Sequence, residues 1–155
     1  MKISYRIVNS DDCEVIKQIH SFNTRVAKEL NLDLIDHDGL AEKLHGECTG
    51  SFRVIAFVKN IQVGELVVIL NEREKIADLL WIYVKPEFRL LGIGTNLTKI
   101  AINELKKRGF KKVYASIVPI VKHFDPNYSE EAPRRILQKL GFKPIHNKYE
   151  YVLEL

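Results

Sequence analysis

Apolar residues alternate with polar or small ones at Ile3, Tyr5 and Ile7, the period of a half-buried strand. Ser10-Asp11-Asp12 then offers capping oxygens, with Glu14 placed for a capping box. Val15, Ile16, Ile19, Phe22, Val26 and Leu30 follow helical spacing, and a second short helix is expected from about Asp36 or Asp38 to His45, stopped by Gly46. From Phe52 the pattern changes. Arg53–Val58, a Lys59-Asn60 turn and Val63–Leu70 predict a hairpin rich in β-branched residues. After a charged loop, Ile76–Val84 is apolar at nearly every position except Asp78, as expected of a strand covered on both faces.

Pro86 ends that strand, Gly92 and Gly94 open a helix with a stripe of Leu97, Ile100, Ala101 and Leu105, and Gly109 stops it. Lys111–Ile117 predicts a further strand. An irregular stretch with Pro119 and Pro126 leads to Ser129, which caps a helix through Leu140, and Pro133 is tolerated in its first turn because amides there have no intrahelical acceptor. Phe142–Ile145 and Tyr149–Leu153 complete a terminal hairpin around His146-Asn147-Lys148.

At 155 residues the chain fits one domain, residues 1–155, since a core of this size buries about two-thirds of the surface the unfolded chain exposes. The start, Met1–Arg6, lacks the apolar stretch of a leader, and the longest apolar run, Leu79–Val84, is too short to span a bilayer, so the expectation is a cytoplasmic protein without a membrane partner. In that compartment Cys13 and Cys48 are expected as plain thiols. No metal site is indicated. The net charge of +4 is uneven: Lys85–Lys112 holds eight Lys/Arg against Glu87 and Glu104. Such a segment can attract nucleic acid, an acidic partner or a small polyphosphate, or serve as a solvated helix face whose basic last turn, Lys106-Lys107-Arg108, suits the negative end of the dipole.

Arg89-Leu90-Leu91-Gly92-Ile93-Gly94-Thr95 lies between strand and helix. Amide N–H groups at a helix start point outward, the dipole adds partial positive charge, and glycines admit a ligand close to the backbone. A diphosphate meets those conditions, with Arg89 and the Thr95 hydroxyl as added donors. The dinucleotide fingerprint wants a third glycine where Leu97 stands, and no Gly-Lys-Ser/Thr of a P-loop follows.

Val84-Lys85-Pro86-Glu87-Phe88-Arg89-Leu90-Leu91-Gly92-Ile93-Gly94, followed later by Leu140-Gly141-Phe142 after an amphipathic helix, resembles the GNAT acyltransferases. Their Arg/Gln-x-x-Gly-x-Gly/Ala follows a strand ending in Val-x-Pro. The resemblance covers essentially the whole chain and is strongest from Leu79 onward. It implies an α/β fold of the mixed α+β kind, a central, mostly antiparallel sheet of about seven strands flanked by about four helices. It also implies acetyl-CoA, or another acyl-CoA, as co-substrate. Ile82, Tyr83 and Val84 would run beside the pantetheine, and Arg89, Leu90, Leu91, Gly92, Ile93, Gly94 and Thr95 would hold the pyrophosphate.

The reaction so implied is direct: a neutral amine attacks the thioester carbonyl, a backbone N–H steadies the oxyanion, and CoA thiolate leaves. A carboxylate set in an apolar strand can serve as the base. Asp78 fits, and falls where one branch of the family places a glutamate, one methylene longer. It can equally be a strand-end acid paired with a Lys or Arg. Glu65 is a second candidate, with a solvent-facing role as the alternative. The tyrosine that many relatives use as general acid is replaced by Leu137, which leaves Tyr128 or water to protonate the thiolate. His123, Phe124, Asp125 and Tyr128 gather where relatives line the acceptor pocket, and Glu29–Asp38, with four acids and no Lys or Arg, would favour a cationic amine.

The leading expectation is an N-acetyltransferase acting on a primary amine of a small molecule, peptide or protein, with a homodimer compatible with the resemblance. The absent tyrosine and the short acid motivate an alternative, a non-catalytic acyl-CoA-binding module or regulatory subunit. Nucleic-acid binding is disfavoured because only Phe88 and Phe110 interleave the basic segment.

Overall fold

The computed structural model describes residues 1–14, 29, 47–117, 129–145 and 150–155. Seven strands form one sheet: β1 (Ile3–Ser10), β2 (Gly50–Val58), β3 (Ile61–Asn71), β4 (Ile76–Val84), β5 (Lys112–Ser116), β6 (Lys143–Pro144) and β7 (Glu150–Glu154). Their spatial order is β1-β2-β3-β4-β5-β7-β6. Every neighbouring pair is antiparallel except β4 and β5. That one parallel pair is joined by a crossover through α1 (Ile93–Lys107), as parallel neighbours require. The second helix, α2, is Glu131–Lys139. The described residues thus hold two α-helices where about four are expected; the two N-terminal ones fall on residues outside those described. Asp12 Oδ1 accepts the Glu14 amide at 2.9 Å, and Ser10 Oγ accepts that of Asp12 at 3.1 Å, so the Ser10 and Asp12 oxygens each satisfy a backbone amide two residues on.

The β2–β3 hairpin turns at Lys59 and Asn60, both with positive φ (51° and 64°), the primed geometry whose twist matches that of the flanking strands. One sheet face packs against α1. Phe52, Val54 and Ala56 of β2, Leu66 and Val68 of β3, and Ala77 and Leu79 of β4 are buried there with Leu97, Ala101 and Leu105 of α1 and Leu137 of α2. Burying a Leu-sized side chain is worth about 1.5–3 kcal/mol, so this stripe, read correctly from its spacing, fixes α1 on the sheet. Gly64 permits the approach: a Cβ there would stand 3.2 Å from Cγ2 of Ile93 and 3.3 Å from Cδ1 of Leu97.

Arg108 ties the far end of α1 to the first strands. It donates to Glu104 at 3.1 Å and to Asn9 at 2.6 Å, and lies over the Phe52 ring. On α2, Arg134 pairs with Glu131 and donates to the Tyr151 hydroxyl at 3.2 Å. Burial opposes its charge, but the Tyr151 and Glu131 contacts outweigh it and raise its pKa above the ordinary value.

Cys13 and Cys48 form a disulfide, with Cα atoms 6.0 Å apart, which corrects the expectation of plain thiols. Pairing of β1 with β2 puts Ser10 opposite Ser51. The cysteines lie three residues beyond that pair on either chain and are carried together by it.

Candidate functional site

β4 is not one uniform strand. Val67 of β3 faces Trp81 and Val68 faces Leu79, so Leu80 is left over as a bulge. A bulge bends its strand and adds twist. Before it, Ile76–Leu79 pair with Lys112–Ala115 of β5; past it, no described residue continues that pairing. On the other side β4 stays joined to β3, with Ile82, Tyr83 and Val84 opposite Leu66, Glu65 and Gly64. Among the described residues, the result is an open strand edge starting where β4 and β5 part.

Which backbone groups face that edge follows from alternation. The Lys85 amide donates to Val63 O on β3 at 2.8 Å. Across a trans peptide the Val84 carbonyl points the opposite way, toward the open side, and so do the polar groups of Ile82 two residues earlier. Both are half-buried. These are the positions at which the resemblance implies pantetheine contacts.

The chain then makes a single 3-10 turn, Pro86–Phe88, and enters α1. Gly92 is the N-cap, at φ 79° and ψ 9°, with no side-chain cap and no acid in the first turn. The first ladder bond is Asn96 N–H to Gly92 O, 3.0 Å, so the amides of Ile93, Gly94 and Thr95 have no intrahelical acceptor. No described residue stands within 4 Å of where a Gly92 Cβ would be. An uncapped helix start with open space before it and no local acid suits a diphosphate.

The two glycines do different work, a refinement of the expectation that both admit a ligand. Gly94 is buried, and a Cβ there would lie 2.9 Å from Cδ1 of Ile136, so its smallness admits α2. Leu91 and Leu90 are exposed, Leu90 fully so. Leu90 also takes φ 66°, a left-handed conformation that costs a non-glycine residue about 1–2 kcal/mol. Ile93 is a core residue and Thr95 is half-buried. Arg89 turns back: its Nε donates to Val84 O at 2.8 Å, and its guanidinium lies 5.6 Å from the Tyr83 ring centroid.

Asp78 sits on the paired half of β4 and is 5% exposed. Its neighbours Ala77 and Leu79 belong to the α1-side core, so Asp78 is on the opposite face, with Ile69 and Tyr114 as register partners. Tyr114 was not singled out from sequence. Glu65 forms an ion pair with Arg53 at 2.8 Å, as its solvent-facing alternative would have it. Leu137 is 2% exposed in the core; the usual acid position is occupied by packing. Tyr128, His123, Phe124 and Asp125 lie outside the described residues, as does most of Glu29–Asp38. Among the described residues no cluster of three or more His, Cys, Asp or Glu is placed to hold a metal, and no described helix is long and apolar enough to cross a membrane.

The model of the acetyltransferase (GNAT) family matches residues 19–127. A search of curated proteins finds no match. Among solved structures, PaiA N-acetyltransferase of Thermoplasma acidophilum in complex with coenzyme A is similar at 18% identity and TM-score 0.58, over 99% of this chain and 98% of that one. A GNAT-family acetyltransferase of Streptococcus pneumoniae is similar at 17% identity and TM-score 0.57, over 99% and 100%. An acetyl-CoA-bound GNAT acetyltransferase of Elizabethkingia anophelis matches at 18% and 0.53, over 76% and 83%.

Proposed function

The chain belongs to the GNAT acetyltransferase family, and on that premise we propose that it transfers an acetyl group from acetyl-CoA directly to a primary amine of a small molecule, peptide or protein. The observation that carries this reading is the continuity of the open β4 edge at Ile82–Val84 with the uncapped start of α1 at Gly92. An amide-bearing arm can add to the edge as a strand would, while the diphosphate rests on the amides of the turn. Solved relatives hold coenzyme A and acetyl-CoA, which supports the same ligand here.

With acetyl-CoA in place, the Ile82 N–H on the open edge can donate to the thioester oxygen as it becomes an oxyanion. The amine nitrogen forms its bond to the acetyl carbon, the carbon–sulfur bond breaks with its electron pair going to sulfur, and the amine proton passes to a base. In this proposal Asp78, buried on the sheet face opposite α1, takes that proton directly or through water. With Leu137 in the core, Tyr128 or water returns a proton to the thiolate.

The test is to incubate the protein with acetyl-CoA and panels of polyamines, amino acids and peptides, following thiol release and acetylated product. Amine-dependent release of thiol supports the proposal. Tight acetyl-CoA binding with no release above hydrolysis for any class contradicts it.

A further inference from the structure

Arg89 has a partner that a phosphate-binding role does not explain. The 3-10 turn, closed by Phe88 N–H to Lys85 O at 2.9 Å and Arg89 N–H to Pro86 O at 3.3 Å, folds the chain back so that Arg89 reaches a carbonyl five residues earlier. That carbonyl, Val84 O, is the last acceptor on the open side of β4, because the following amide is committed to Val63 on β3. The contact uses Nε, and the guanidinium is laid over Tyr83. The protein thereby sets a donor of its own at the end of that edge and pins the first residue of the Arg89–Gly94 turn to β4.

We propose that Arg89 is a positioning residue for the acyl-CoA: it stops the strand-like arm short of Val84 O, fixes the register of that arm, and holds the diphosphate turn at a set distance from it. This rests on the acyl-CoA reading given above. With Val84 O occupied, a bound arm can pair only with Ile82 and with the Val84 N–H, so its thioester is held at one place along β4. A slip of one pairing step would carry the acyl carbon roughly 7 Å, two strand residues, out of line with the Ile82 N–H. The contribution of Arg89 to the register is then directional, through its Nε–H, and does not depend on neutralising phosphate.

The geometry of the side chains separates the two roles. Gln carries its amide nitrogen on Cδ, as Arg carries Nε, and so keeps the donor without the charge. Lys keeps the charge but has carbon at that place. Acetyl-CoA affinity is measured by isothermal titration for wild type, Arg89→Gln, Arg89→Lys and Arg89→Met at low and high salt, together with KM and kcat and with melting curves as a check on folding. If Arg89 positions, Arg89→Gln stays within about threefold of wild type, whereas Arg89→Lys and Arg89→Met each lose about tenfold, the worth of one well-placed hydrogen bond. The salt dependence then stays nearly the same across the series. In the Lys and Met variants kcat falls along with the rise in KM, because the register is lost as well as affinity. The reverse order, Lys retained and Gln impaired with a flattened salt response, makes Arg89 a phosphate-neutralising charge and overturns the proposal. Failure of the wild type itself to bind acetyl-CoA overturns the parent reading, and this inference with it.

Discussion

From Ile76 to Leu79, β4 has a strand on each side; from Ile82 to Val84 it has β3 on one side and, among the described residues, no strand on the other. Both halves are mainly apolar, and only the first carries an acid, Asp78. What separates them is the single unpaired residue Leu80. In the first half every backbone group can be satisfied by the sheet, and the side chains Ala77 and Leu79 are core. In the second, part of the backbone faces the side where the proposed ligand would add, and Ile82 and Val84 only pack against the rim of the core. Stability and the proposed binding thus fall on opposite sides of one bulge. Asp78 is the exception, an acid inside the half that otherwise builds the core.

Substitutions in the two halves should therefore fail in different ways. The largest effect is expected at the exception. Asp78→Asn, nearly the same shape, should lower kcat by about 10²–10⁴-fold with little change in acetyl-CoA affinity; stopped assays of acetylated product beside a titration measure both, and unaltered kcat removes Asp78 from the chemistry. Next comes Leu79→Ala, which should cost about 2–5 kcal/mol of folding stability in denaturant unfolding while the surviving folded protein binds acetyl-CoA as before. In the open half the pattern inverts. Gly92→Glu puts a side chain and a negative charge into the space before α1, on a residue at φ 79°, and should weaken acetyl-CoA binding by at least about 100-fold, some 2.7 kcal/mol. Its stability should fall by only about 1 kcal/mol, the left-handed penalty. Smallest is Leu90→Gly, which relieves that same penalty and should raise stability by up to about 1 kcal/mol, the gain reduced by the greater chain entropy of glycine. A thermal melt that moves the other way would mean the fully exposed Leu90 side chain has a partner in solution.

The same contrast explains what could be read from the sequence. The extent of β4, Ile76–Val84, was legible because Pro86 and the charged loop bound it. The β2–β3 turn was legible in Lys59-Asn60, and α1 in its spacing and in Gly109. The bulge was not: a bulge shows itself in sequence as broken alternation, and a run apolar on both faces has no alternation to break. Register hides for the same reason. The Cys13–Cys48 disulfide depends on Ser10 lying opposite Ser51, and the β1 pattern beyond Tyr5 does not specify that pairing, since Ile7 and Val8 are both exposed. At the candidate site, the strand end at Ile82–Val84 and the helix start after Gly92 were legible as elements. Tertiary packing decided the rest. The role of Gly94 depends on Ile136 in a different helix, the partner of Arg89 on a turn folding back by five residues, and the fate of Glu65 on a cross-strand Arg53.

The central claim, that acyl-CoA occupies the open half of β4 and the start of α1, is tested most directly by titrating the isotope-labelled protein with coenzyme A and following its backbone amide resonances. The account predicts saturable shifts at Ile82, Val84 and Gly92 to Thr95, with Ile76 to Leu79 changing little. Shifts confined to other surfaces, such as the exposed basic face of α1 at Lys99 and Lys106, or no shifts at all, would contradict it.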